Sequence, residues 1–184
     1  PFAGSTKLSK NSSKVEWAIA WPIDEANYFN SYCNTVPTPL GGTHENGLRG
    51  AILKGLKNYG ELTSNKQALK ITADDVLGGA CVMLSVFFEN PQFQGQTKEK
   101  LSSTEAQKLT ENSVRDHFDH WLSGDPENSQ ALLERIIERA ETRLKKRNAK
   151  DTKRSSPTRK LRLPGKLTDC TSQTAKGTEI FLVE

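Results

Sequence analysis

The sequence predicts an α+β domain in which helices cover one face of a mixed sheet and a long helix follows. Runs with strand composition stand at 15–21, 27–34 and 81–88, and segments with helical periodicity stand between and after them. Two predicted helices follow the last of these strands in direct succession, which favours α+β over regular βα alternation.

Composition narrows the class of protein. The chain has 184 residues, 34% of them hydrophobic and 26% charged, enough for one core with additional polar segments. Its net charge of +4 is too small to indicate nucleic-acid binding by itself. No apolar run reaches membrane length, and three widely separated cysteines form no zinc pattern, so we expect a cytoplasmic protein with reduced thiols. The only methionine is Met83, so we expect a segment of a longer protein.

The first third of the chain predicts a loop, two strands and another loop. Residues 1–14 are polar and predict a loop. Residues 15–21 and 27–34 predict strands joined as a hairpin through a turn at 22–26. Residues 35–42 hold two prolines and two glycines, and therefore predict a loop.

Helices and one strand are predicted for the middle of the chain. A helix is predicted from Thr43, its expected N-cap, to Tyr59, with an apolar face of Leu48, Ile52, Leu56 and Tyr59. Residues 72–75 resemble a capping box that opens a short helix. Cys81 to Phe88 is almost continuously apolar, which predicts a buried central strand.

Two further helices are predicted after a polar loop at 90–100. Residues 102–105 form a capping-box pattern that begins a helix ending near Leu122. A long helix is predicted for 127–150. The expected buried residues of the two helices are Ala106, Leu109, Val114, Phe118 and Trp121, and then Leu133, Ile136, Ile137, Ala140 and Leu144.

The end of the chain is strongly basic. Between 143 and 166 there are eleven Lys and Arg and one acidic residue, Asp151. This stretch suits either a solvated linker or a contact with a polyanion such as duplex DNA; no interleaved aromatics favour base stacking. After Pro164-Gly165, ordered character resumes at Lys166 and ends in a strand-like run up to Glu184.

Most candidate catalytic patterns are better explained as ordinary structural features. There is no phosphate-binding G-x-x-x-x-G-K-[ST] loop. Gly41-Gly42 before a helix could hold an anion or could simply be a helix entry. His117 and His120, three apart on one helix, could begin a metal site, but no third ligand has suitable spacing, so a solvated helix face is the favoured explanation. His44 could be an acid or base, but the sequence identifies no partner for it.

The segment Gln94 to Lys98 is a small polar loop after an apolar strand. It presents an amide, a hydroxyl and an ammonium together, which are donors suited to a phosphate group. Composition alone favours an ordinary exposed loop.

Four motifs together resemble the B subunits of bacterial type II DNA topoisomerases. GGTHENGLR at 41–49 resembles the family's GGTHE-G-R segment, and NPQFQGQTK at 90–98 resembles its -PQF-GQTK loop. LPGKLTDC at 163–170 resembles LPGKLADC, and FLVE at 181–184 resembles the start of F-VEGDSAGG. The motifs occur in the family's order, and the segments at 34–38 and 101–103 are more similar to topoisomerase IV than to gyrase.

This resemblance implies a particular organisation and site. It implies a transducer domain at 1–150, with a ribosomal-protein-like fold and a left-handed crossover, a basic linker at 151–163 and the start of a Toprim domain at 164–184. It also implies that Gln96 and Lys98 contact the γ-phosphate of ATP, and that Glu184 is a Mg²⁺ ligand and catalytic acid or base. Both ATP and Mg²⁺ would require domains outside this chain.

The implied activity is ATP-dependent DNA strand passage, with the chain inactive alone. The implied partners are double-stranded DNA, a topoisomerase A-type subunit in a heterotetramer and a second B-type subunit; which residues touch DNA is left open. Two alternatives remain: a non-enzymatic basic DNA-binding module, and a fragment of a Toprim nuclease.

Overall fold

A computed structural model describes residues 1–7, 13–23 and 27–155, with side chains described up to residue 149. It divides into two compact units, Pro1–Leu144 and Lys145–Glu184. The first unit is described below; of the second, the structure describes the continuation of the last helix to Ser155. The boundaries at 150 and 163 therefore stay predictions.

Strands and helices follow the predicted α+β order. The strands are β1 (Phe2–Lys7), β2 (Lys14–Ala20), β3 (Tyr28–Cys33), β4 (Val36–Pro37), β5 (Cys81–Phe87), β6 (Phe93–Gln94) and β7 (Lys100–Leu101). The helices are α1 (Thr43–Leu62), α2 (Ala73–Leu77), α3 (Thr104–Gly124) and α4 (Pro126–Ser155), with a short 3₁₀ helix at Lys66–Lys70. Within the described ranges, five strands form a sheet in the order β1-β2-β5-β3-β4, and β6 pairs with β7.

The sheet is mixed, as predicted, but the predicted hairpin at 15–34 is wrong. β5 lies between β2 and β3, antiparallel to the first and parallel to the second. Trp21 Nε1 donates to the carbonyl of Val76 at 3.0 Å, and Asn27 Nδ2 donates to that of Gly78 at 2.9 Å. These bonds attach the residues on either side of 24–26 to the segment that leads into β5. β5 is the most apolar strand, and it pairs with a neighbouring strand on each of its edges.

The predicted loop at 1–14 is also wrong, because Phe2–Lys7 forms the edge strand β1 along β2. Phe2 is 3% exposed, and its ring centroid lies 5.0 Å from that of Phe118 and 5.7 Å from those of Trp17 and Trp121. Burial of one aromatic ring among three others therefore recruits an otherwise polar segment into the sheet.

β5 is the central strand, as predicted, and its fully buried side chains lie on one face of the sheet. Val82, Leu84 and Val86 are at most 1% exposed, whereas Met83 on the opposite face is 46% exposed. The core lies between this inward face and the helices, and α1 and α3 pack against each other over it.

The predicted helices are confirmed, with small differences at their ends. The N-cap of α1 is Gly42 instead of Thr43. The capping box of α2 forms at Thr72 and Asp75, whereas the side chain of Ser103 makes no cap bond to α3. α4 extends beyond its predicted end at 150 and reaches Ser155. Leu109, Trp121 and Leu144 are only partly buried.

Two arginines of α4 attach this helix to the domain. Arg135 donates to the carbonyls of Trp21 and Pro22. Arg143 forms a two-bond ion pair with Asp75, from Nε at 2.8 Å and from a terminal nitrogen at 2.9 Å. The Asp75 side chain is only 4% exposed. Burial alone would raise the pKa of Asp75, but the hydrogen bonds from Arg143 and Thr72 outweigh it and lower that pKa.

Replacing Arg143 with alanine is expected to lower the melting temperature of the chain by about 5 °C, because it leaves a nearly buried carboxylate without its cation. Thermal unfolding followed by circular dichroism measures this effect. Arg147→Ala, an exposed position one turn further along α4, is the matched control. Equal melting temperatures for the two variants would show that the ion pair does not hold α4.

Candidate functional site

The polar loop at 94–98 is the tip of a small hairpin. β6 and β7 pair antiparallel, with Phe93 opposite Leu101 and Gln94 opposite Lys100. The turn between them uses left-handed backbone at Gly95 (φ 84°) and at Lys98 (φ 58°). Gln96 and Lys98 are both exposed. The candidate phosphate-binding side chains are thus displayed at the tip, where they can meet a ligand held on another surface.

The base of this hairpin is attached to the glycine turn that precedes α1. The backbone N–H of Leu101 donates to the carbonyl of Gly41, and that of Leu40 donates to the carbonyl of Glu99, each at 3.0 Å. Leu101 also forms a parallel bridge with Gly42 and is 1% exposed. Two sequence motifs that are far apart in the chain therefore form one structural unit.

Glycine is required at position 42 and favoured at position 41. A Cβ on Gly42 would lie 2.3 Å from the carbonyl oxygen of Leu101, and the φ of Gly42 is 146°. A Cβ on Gly41, whose φ is 68°, would lie 2.7 Å from a carboxylate oxygen of Glu45. Because Gly42 has no side chain, the hairpin base can pack against it. The absence of a side chain on Gly41 likewise leaves room for the carboxylate beneath the turn.

Four polar side chains form a hydrogen-bonded network under this turn. His44 Nε2 lies 3.1 Å from Thr38 Oγ1, which lies 2.7 Å from Ser31 Oγ. Ser31 Oγ donates to Glu45 Oε1 at 2.6 Å. His44 is fully buried and Thr38 is 1% exposed, so the network belongs to the interior. The sequence identified no partner for His44; Thr38 is that partner.

Burial determines the ionisation of this network. It lowers the pKa of His44 to about 4 from its ordinary value near 6.5. It also raises the pKa of Glu45, against the opposing effects of the Ser31 hydrogen bond and the positive charge of Arg49. His44 is therefore neutral at pH 7, and an acid–base role for it has no support in the geometry.

The depressed pKa of His44 predicts that stability depends on pH. Above about pH 6.5, His44 is neutral in both the folded and the unfolded chain, and the stability is at its full value. Below this, the unfolded chain takes up the proton first, so the free energy of unfolding should fall by about 3 kcal/mol down to pH 4 and then level off.

Urea unfolding at a series of pH values measures this dependence. His44→Gln removes the titrating group while exposed His117 and His120 remain in both proteins. The difference in unfolding free energy between the two proteins should change across pH 6.5 to 4. A constant difference over this range would contradict the assignment.

The other candidates do not gather into a site. His117 Nε2 lies 3.1 Å from Thr6 Oγ1, and its ring packs beside Trp17. In the part of the chain that the structure describes, no group of three or more His, Cys, Asp or Glu side chains could hold a metal ion. Cys33 and Cys81 lie in strands and form no disulfide, and burial raises the pKa of Cys33 to about 11.

Some predicted elements lie outside the described residues. Glu184 and the segment 164–184 are among them, and so is the part of the basic stretch beyond Ser155. In the described ranges, none of the helices has the length and hydropathy needed to cross a membrane.

Comparisons with known proteins agree on one family. The family model described as DNA gyrase B matches residues 2–152. The B subunit of DNA topoisomerase 4 from Bartonella bacilliformis is 54% identical over the whole chain, and so is the same subunit from Caulobacter vibrioides. The chain covers 26% and 27% of these relatives, so it spans about a quarter of their length.

Solved structures show the same likeness. The topoisomerase IV ATP-binding domain of Francisella tularensis, solved with a small-molecule inhibitor, has a TM-score of 0.69 and 35% identity, over 78% of this chain and 40% of that one. The 43K ATPase domain of Thermus thermophilus gyrase B, solved with an aminocoumarin, has a TM-score of 0.67 and 25% identity, over 82% of this chain and 40% of that one.

Proposed function

The chain belongs to the DNA gyrase B family, and from this premise we propose that it is part of an ATP-dependent type II DNA topoisomerase of the topoisomerase IV branch. In this proposal, Gln96 and Lys98 contact the γ-phosphate of ATP bound by a separate domain. The identities of 54% with the B subunits of topoisomerase 4 support the branch. The observation that carries the site is the exposed hairpin tip on a rigid base.

The residues of the tip fit an interaction with a terminal phosphate. Lys98 supplies a positive charge and Gln96 an amide donor, and both side chains are exposed. Thr97 donates its hydroxyl to the carboxylate of Glu99 at 3.2 Å, which leaves the lysine and the glutamine as the donors directed to a ligand. A charge-assisted hydrogen bond of this kind contributes about 1.5–3 kcal/mol.

We extend the proposal to the domain organisation. Residues 1–150 would be the transducer domain, whose parallel connection from β3 through α1 and α2 to β5 would be the left-handed crossover. Residues 151–163 would be a basic linker and 164–184 the start of the Toprim domain. There Glu184 would hold Mg²⁺ and act as acid or base in DNA cleavage.

The protein's own contacts supply a route for coupling. The bound nucleotide offers negative charge at its terminal phosphate, and Lys98 binds that charge. The position of Lys98 is tied to Leu101, which is bonded to the turn before α1. Arg135 and Arg143 hold α4 to the same domain. If the loop moves relative to the ATP-binding domain, the elements bonded to it, including α4, therefore move with it.

The proposed partners follow from the family. They are double-stranded DNA, an A-type subunit in a heterotetramer and a second B-type subunit, in the cytoplasm. The relatives that support these partners are about four times as long as this chain, so these interactions are proposed for the full-length protein.

Protection of Lys98 from chemical labelling tests the proposed contact. In the full-length protein, a non-hydrolysable ATP analogue is expected to slow acylation of Lys98, because its ammonium is then bound to phosphate. Peptide mass spectrometry measures the extent at each lysine. Lys108, a residue on α3 away from the hairpin tip, is the internal control. Equal labelling of Lys98 with and without the analogue would overturn the proposal.

A further inference from the structure

The network under the glycine turn has a defined direction of hydrogen bonding. Each hydroxyl has a single proton to donate. Ser31 gives its proton to Glu45 at 2.6 Å, the shortest of its contacts, in preference to the carbonyl of Thr38 at 3.2 Å. Thr38 must therefore donate to Ser31, and it then accepts from the Nε2–H of His44. The bonds all run from the buried imidazole towards the carboxylate.

The opposite direction is less favourable. It would require a protonated Glu45 that donates to Ser31, and a His44 whose Nε2 accepts and whose Nδ1 carries the proton. Among the described residues, Nδ1 of His44 has no hydrogen-bond partner. A buried N–H without a partner is more costly than an unused lone pair, so the network favours an ionised Glu45.

The Glu45 carboxylate also lies close to two further elements, the N-terminus of α1 and the glycine turn. Glu45 is in the first turn of α1, where a negative charge is stabilised by the helix dipole. Its oxygen Oε2 occupies the space directly beside Gly41, the residue whose carbonyl accepts from Leu101. The contacts therefore run from Ser31 in the sheet to Glu45, from Glu45 to the glycine turn, and from the turn to the hairpin base.

We propose that Ser31 and Glu45 are positioning residues for the hairpin tip. Their hydrogen bond holds the carboxylate against Gly41 and so keeps the turn where Leu101 binds it. The tip is thereby presented to the nucleotide in one orientation. This inference rests on the function proposed above for Lys98, and it adds two residues that do not touch the nucleotide.

Hydrogen exchange of the full-length protein without nucleotide tests the positioning alone. Glu45→Ala and Ser31→Ala are expected to speed exchange at the amides of Leu40 and Leu101 about tenfold, the scale on which one charge-assisted hydrogen bond shifts an equilibrium. Glu61→Ala, the same change at the exposed far end of α1, should leave both amides unchanged. Unchanged exchange in both network variants would overturn the inference, and the serine variant retains the test if the glutamate variant fails to fold.

The Glu45→Gln variant separates positioning from a simple charge effect. Glutamine keeps the shape and one oxygen acceptor for Ser31, so it should restore most of the wild-type exchange. If Glu45 acted only through its negative charge at the helix end, the glutamine and alanine variants would speed exchange equally.

ATP turnover in combination with Lys98→Ala connects the positioning with the nucleotide. Glu45→Ala should lower kcat/KM for ATP about tenfold in the wild-type background and have a smaller further effect when Lys98 is already alanine, because only the Gln96 contact is then left to misplace. Additive losses would reject the positioning role. Wild-type turnover in Lys98→Ala alone would instead overturn the proposed function, and the exchange measurement would still decide whether Glu45 orders the loop.

Discussion

Lys98→Ala in the full-length protein is expected to lower ATP turnover by about tenfold to a hundredfold, the range that corresponds to losing one or two charge-assisted hydrogen bonds. The side chain is exposed at the tip of the hairpin, whose backbone is held independently through Leu101 and Gly41. The loss should therefore arise from the missing contact and not from a change of fold. Steady-state ATP hydrolysis and supercoil relaxation by the reconstituted enzyme measure it.

Lys100→Ala is the matched control for this experiment. Lys100 is exposed on the same hairpin, but it lies in β7, behind the tip. Its replacement should leave turnover near the wild-type value and the unfolding transition unchanged. Wild-type turnover in the Lys98 variant, or an equal loss in both variants, would contradict a specific role for Lys98.

Gly42→Ala should lower the free energy of unfolding by about 3 kcal/mol, from backbone strain and a steric clash together. The residue has φ 146°, and an added Cβ would lie 2.3 Å from Leu101 O and 2.7 Å from Leu101 N. Backbone atoms of the buried Leu101 cannot move aside as a flexible side chain could, so the hairpin base has to shift. Urea unfolding measures the loss, and hydrogen exchange at Leu101 reports the shift.

Gly124→Ala is the control for the glycine prediction. A Cβ at Gly124, in the last turn of α3, would meet no atom within 4 Å. This change should be neutral or slightly stabilising, because alanine restricts the unfolded chain more than glycine does. Equal unfolding free energies for the two alanine variants would show that the turn tolerates a side chain.

Local patterns predicted the helices well. α1, α3 and α4 have the expected apolar spacing, and the capping box of Thr72 and Asp75 begins α2 as predicted. Helical hydrogen bonds join residues four apart, so a short stretch of sequence contains both partners. The helix α4 extends past its predicted end at 150, because Thr152 is tolerated within a helix whose anchors, such as Arg143, lie earlier.

Strand partners and the polar network could not be derived in this way. The insertion of β5 between β2 and β3 depends on pairing across long sequence separations, and β1 forms because Phe2 finds three aromatic rings elsewhere in the chain. Ser31 is recognisable as a partner of Glu45 only after β3 and α1 are packed together.

The sequence by itself determined the helices, the motifs of the family and the candidate tip residues Gln96 and Lys98, because these depend on neighbouring residues or short patterns. The tertiary structure alone decided that the tip stands on the Gly41–Gly42 turn and that Ser31 and Glu45 lie beneath it. The physical reason is that sheet pairing and buried hydrogen bonds join residues that only the packed core brings within bonding distance.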